Sequence, residues 1–87
     1  LKVLHIPENK ITSIDVSNNT LLEELALSGN PIDGILDVSF MNKMNELRVF
    51  NTNINCIQLS EEQLAKYEAG QYERWALGNT PYSIKCN

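Results

Sequence analysis

Hydrophobic positions recur along this chain in a fixed order. Leu1, Leu4, Ile6, Asn9 and Ile11 return as Leu22, Leu25, Leu27, Asn30 and Ile32, and again as Leu47, Phe50, Thr52, Asn55 and Ile57. The offsets, 21 and then 25 residues, lie in the range where self-similarity marks a stacked array of units. Each unit reads L-x-x-L-x-L-x-x-N-x-L, and Thr52 takes an aliphatic slot in the third. Strand side chains alternate between faces, so the fourth and sixth positions of each unit point inward and their neighbours outward. Strands are therefore predicted over 3–7, 24–28 and 49–53, paired in parallel as the units stack. Asn9, Asn30 and Asn55 follow these strands as a predicted ladder. An amide that both donates and accepts can satisfy the backbone groups of a tight turn.

The return halves repeat as well. Ile11, Ile14, Asp15, Val16 and Ser17 match Ile32, Ile35, Asp37, Val38 and Ser39, with Leu36 as an extra residue. Asn18-Asn19-Thr20 reads as a turn, although it is also a formal glycosylation sequon. Phe40, Met41 and Met44 predict a short helical turn in the second unit. After Ile57 the pattern changes. Ser60-Glu61-Glu62-Gln63 has the form of a capping box, predicting a helix to about Leu77 with Leu64, Tyr67, Gln71 and Trp75 along one face. Gly70 weakens that helix, Gly78-Asn79 stops it, and 82–86 alternates like a strand. The predicted organisation is one domain: units at 1–21, 22–46 and 47–57 (partial), then a capping segment at 58–87.

Composition narrows the function. The net charge is −4 with only seven Lys and Arg, and they are scattered, which argues against a nucleic-acid partner. No apolar run approaches the roughly 20 residues of a membrane span. The chain opens inside a repeat without a leader, which reads as the C-terminal piece of a longer precursor. Cys56 and Cys86 form no C-x-x-C motif, and His5 stands alone, so no metal set is expected. A Cys56–Cys86 disulfide is the economical reading, with two buried free thiols as the alternative. The bond would imply an oxidising compartment.

The repeat, with Ile-Thr-Ser-Ile-Asp-Val-Ser-Asn-Asn-Thr after its Asn, resembles the short leucine-rich repeats of secreted bacterial proteins. Asn55-Cys56-Ile57-Gln58 with a late Tyr-Ser and Cys86 is similar to the C-terminal cap of those proteins. The resemblance covers the whole chain. It implies an α/β right-handed solenoid with a short parallel sheet on the concave face and a disulfide-closed cap. It also implies export to the periplasm or cell surface and a role in protein or glycan recognition.

Catalytic chemistry is poorly supplied. His5 is the only general-base candidate at neutral pH, and no nucleophile is spaced with it. No enzyme activity and no cofactor are expected. The contact face has more shape: outward rows Val3, Glu24, Val49; His5, Ala26, Asn51; and Pro7, Ser28, Asn53. A further row, Lys2, Glu23, Arg48, alternates in sign. The expected ligand-binding residues are His5, Glu24, Ala26, Ser28, Asn51 and Asn53, on a face free of aromatics. Trp75, Tyr67, Tyr72 and Tyr82 cluster in the cap, where core packing outweighs a glycan platform. Tyr72 lies off the apolar stripe and is the one expected to be exposed. The resulting expectation is non-enzymatic protein–protein recognition, with a structural end-cap or glycan binding as alternatives. The open first strand, with Leu1, Leu4 and Ile6 at its end, predicts self-association.

Overall fold

The computed structural model describes residues 2–86; the part of the first repeat carried by Leu1 lies outside them. The chain coils into a small β-solenoid of about four turns with two parallel sheets and one helix. One sheet holds β1 (Val3–His5), β2 (Glu24–Ala26), β4 (Glu46–Arg48) and β6 (Arg74–Ala76), in that order. The second holds β3 (Asp33–Asp37), β5 (Asn53–Gln58) and β7 (Tyr82–Ser83). Helix α1 (Glu61–Glu68) lies between β5 and β6 in the chain.

The register corrects the predicted third unit. Leu4 pairs with Leu25, Leu25 with Leu47, and Leu47 with Trp75. The third strand is thus 46–48, not 49–53, and the third unit runs from Met44 rather than Leu47. Burial explains the choice. Leu47 and Val49 are both fully buried, as are Leu25 and Leu27 of the preceding turn, whereas Phe50 is exposed. The alternative alignment would have put Phe50 into the aliphatic core and turned Val49 outward. Residues 45–49 keep an inward Leu-x-Val pair that stacks on Leu-x-Leu with little change of volume.

The ladder shifts with the strand. Asn30 is buried; its Nδ2 donates to the carbonyls of Ile6 (2.7 Å) and Leu27 (2.8 Å), and its Oδ1 accepts from the amides of Asn9 (3.0 Å) and Ile11 (3.4 Å). In the next turn the equivalent place belongs to Thr52, whose hydroxyl donates to the Val49 carbonyl at 2.9 Å. Asn55 is not part of the ladder. It lies in β5, and its Oδ1 accepts from the Gly34 amide of the second sheet. A backbone mark at the same position confirms the register: Glu8, Gly29 and Asn51, each one residue before the ladder position, all have positive φ.

The two return halves share one hydrogen-bond pattern. Asp15 accepts from the amide (3.0 Å) and hydroxyl (2.6 Å) of Ser17, and Asp37 from those of Ser39 at 2.9 and 2.6 Å. These bonds, the hydroxyl's foremost, hold the Asp15 carboxyl below the usual carboxylate range. The segment at Phe40–Met44 forms successive turns rather than a helical one, with buried Met41 and Met44 directed into the core.

The cap departs most from expectation. Ser60 caps α1, and the Ser60–Gln63 capping box is complete. The buried Gln63 also donates through Nε2 to the Val38 (2.9 Å) and Met41 (3.3 Å) carbonyls, fastening the cap to the second turn. The helix ends at Glu68 and not near Leu77, because Gly70 takes a φ of +77°. The chain then returns to the first sheet as β6, so Trp75 is the core residue of a fourth turn rather than part of a helical stripe. Cys56 and Cys86 are disulfide-bonded, with Cα atoms 5.7 Å apart. Among the described residues no helix is long and apolar enough to cross a membrane.

Candidate functional site

The corrected register changes what the outer face of the four-stranded sheet presents. Val3, Glu24, Glu46 and Arg74 form one row; His5, Ala26, Arg48 and Ala76 form the next. Pro7, Ser28, Phe50 and Gly78 follow two residues further along the chain. Of the predicted contact residues, His5, Glu24, Ala26 and Ser28 come together here. Asn51 and Asn53 do not. Asn51 turns away in a positive-φ bend after β4, and Asn53 pairs with Asp33 in the second sheet. Arg48 leaves the predicted Lys2–Glu23 row, where Asn45 takes its place: the Asn45 amide donates to the Glu23 carbonyl, as that of Glu23 does to Lys2.

Glu46, Arg48, Phe50 and Arg74 were missed because each depended on the misplaced third strand or the unrecognised fourth. One signal was available: Glu-Leu-x-x-Ser-Gly in the second unit aligns with Glu-Leu-x-x-Phe-Asn in the third once Leu25 is matched to Leu47.

Glu46 is the centre of the site. Only 4% of it is exposed, an uncommon burial for a carboxylate without countercharges. Three cationic or polar groups converge on it. Arg74 Nη2 lies 2.5 Å from Oε1, outside hydrogen-bond alignment; Arg48 Nε lies 3.6 Å and His5 Nε2 3.4 Å from Oε2. His5 Nε2 also lies 3.0 Å from Glu24 Oε1. Two glutamates on adjacent strands repel one another, and the imidazole bridges them.

Beside this cluster lies a groove of about 430 Å³, lined by His5, Ser28, Glu46, Arg48, Phe50 and Arg74 among others. Its floor includes the Ser28 hydroxyl, buried and without a hydrogen-bond partner. Phe50 is 36% exposed at its end. Its position is set by Gly78, where an added Cβ would come within 2.8 Å of the Phe50 Cβ. The face is therefore charge-balanced rather than uncharged, and it is not free of aromatics: it carries two carboxylates, two guanidiniums, an imidazole and a phenyl ring.

The cap aromatics are engaged with one another. Tyr72 stacks on Trp75 with ring centres 4.1 Å apart, Tyr67 meets Trp75 at 5.5 Å, and Tyr82 approaches Tyr67 edge-on at 5.2 Å. Tyr72 is half-buried rather than exposed. Burial, with Tyr82 as the smaller influence, raises the Tyr67 phenol above its ordinary value. In the comparisons with known proteins, no family model, no curated protein and no solved structure matches this chain.

Proposed function

We propose that this chain is a leucine-rich-repeat recognition module of an exported protein, contacting a protein partner without catalysis through the outer face of the four-stranded sheet. One observation carries the reading. Arg48, Phe50 and an unpartnered Ser28 hydroxyl line one groove beside a buried, charge-balanced cluster. Arginine and aromatic side chains are the residue types that dominate protein interfaces, above all around a desolvated pocket. A buried hydroxyl lacking a partner costs about 1–3 kcal/mol, which a donor or acceptor from a ligand would offset. The inward sides of the same strands are uniformly aliphatic up to Trp75, as a leucine-rich repeat requires. The Cys56–Cys86 bond supports an oxidising, extracytoplasmic setting.

A structural reading has its own support. Helix α1, β6, β7 and the disulfide close the end of the solenoid, and Gln63 ties that closure to the second turn. On this view the chain terminates a longer array and binds nothing. Glycan binding through the cap fits less well, because the rings of Tyr67, Tyr72, Trp75 and Tyr82 pack against each other.

The readings separate in a capture experiment with the immobilised protein and mixtures of surface proteins and glycans. Recognition through this face predicts a retained protein partner that is lost with Arg48→Glu plus Phe50→Ser, under an unchanged circular dichroism spectrum. Retention that survives those changes would overturn recognition through this face, and no retention at all would leave the chain a structural terminus.

A further inference from the structure

His5, Glu24 and Glu46 are brought together from three successive turns, and their arrangement raises a difficulty for hydrogen bonding alone. Nε2 of His5 stands 3.0 Å from one carboxylate oxygen and 3.4 Å from another. Nε2 carries one proton, and one proton serves two such acceptors poorly. A cation at the centre of the three atoms would serve all of them.

We propose that His5 Nε2, Glu24 Oε1 and Glu46 Oε2 form a binding site for a zinc-like divalent cation on the outer face of the four-stranded sheet. One donor atom from each of the three residues lies within 4.8 Å of the other two. In a tetrahedral zinc site with N and O ligands at about 2.0–2.1 Å, neighbouring donors are about 3.3 Å apart. The two His5 separations bracket that value. Three protein ligands leave a fourth position free, and two of the three, His5 and Glu46, line the groove that holds the buried, unpartnered Ser28 hydroxyl.

Glu46 meets the other requirements of a ligand. It is held in place by burial, and its second oxygen, Oε1, faces Arg74 Nη2, an outer contact that orients a carboxylate binding through Oε2. An imidazole with two carboxylates suits zinc, whereas calcium and magnesium favour oxygen alone. Both cysteines are in the disulfide, so no thiolate among the described residues competes. The ligand is the neutral imidazole with Nε2 free of its proton and the ring proton on Nδ1. Arg48 works against the site: its Nε lies 3.6 Å from Glu46 Oε2, and this contact must yield to the cation.

The site is independent of any partner. Because His5 is the only histidine, its ring protons are an unambiguous reporter in solution. Titrating the intact oxidised protein with zinc chloride at neutral pH, followed by NMR and calorimetry, should shift the His5 resonances to saturation at one equivalent. Cobalt should give the visible absorption of a tetrahedral site. His5→Ala and the partly exposed Glu24→Gln should each weaken binding roughly tenfold or more, and Arg48→Gln should strengthen it severalfold. Glu24→Gln spares the buried Glu46, so the test does not depend on a variant that fails to fold. His5 resonances that stay unmoved by zinc, or affinity unchanged by Glu24→Gln, would overturn the proposal.

Discussion

Asn30 shows how one side chain closes a turn of the solenoid. Its four short or moderate hydrogen bonds satisfy backbone groups in two successive turns, and the Asn30 side chain itself is buried. Asn30→Ala takes the partner from each of those groups, at about 1–3 kcal/mol for each one that stays buried, before relaxation. The expected total loss is about 3 kcal/mol in a denaturant melt. Asn55→Ala gives up one exposed bond to Gly34 and should cost under about 1 kcal/mol. Equal losses at the two positions would restore Asn55 to the ladder. Thr52 supplies a shorter version of the Asn30 bond, since its hydroxyl reaches the carbonyl three residues back as Asn30 does. The residue that broke the sequence pattern is thus the one that holds the ladder position.

At the scale of elements, glycines decide where strands and helix end. Gly70 has a φ of +77° with open space around it, so Gly70→Ala meets only the backbone penalty of about 1–2 kcal/mol. Gly78 has a φ of +62° and faces the Phe50 Cβ at 2.8 Å. Gly78→Ala should therefore cost at least about 1 kcal/mol more than Gly70→Ala in thermal unfolding and should displace the Phe50 ring. A smaller loss at Gly78 would mean that Phe50 is not fixed against that turn. The first two turns, the recurrence of the return halves, the capping box and the cysteine pair were all legible in the sequence. Each rests on local chemistry or a strict repeat. The third strand was not legible, because Leu47-x-x-Phe50 imitates the first half of a repeat as well as Met44-x-x-Leu47 does. Only the stacking of Leu47 and Val49 on Leu25 and Leu27 separates them. The fourth strand was hidden because Trp75 occupies a leucine position, and its spacing from Tyr67 and Gln71 imitates a helix face. Most of the charged cluster depended on those two strands, so His5 looked solitary.

The molecule as a whole is a stack with unlike ends. At one end β6 and β7 are the last strands of their sheets, and Tyr67 and Tyr72 pack on the buried Trp75. At the other, β1 pairs only with β2 among the described residues, and Leu4, Ile6, Ile11 and Ile14 are only partly buried where Leu25, Leu27 and Ile32 are enclosed. An unpaired strand edge above a half-covered apolar layer favours a second copy. This 87-residue chain should therefore give a scattering mass that rises with concentration. Leu4→Lys should suppress the rise, and a constant monomer mass at high concentration would contradict it.

Everything assigned to the outer face depends on β4 pairing at Glu46–Arg48 and on β6 returning beside it. Nuclear Overhauser contacts in isotope-labelled protein test this most directly. Contacts from the Trp75 indole to the Leu47 methyls, and from the His5 ring to the Glu24 and Glu46 side chains, are the expected result. Contacts placing Asn51 beside Ala26, with the Trp75 region helical, would contradict both the face and the functions proposed for it.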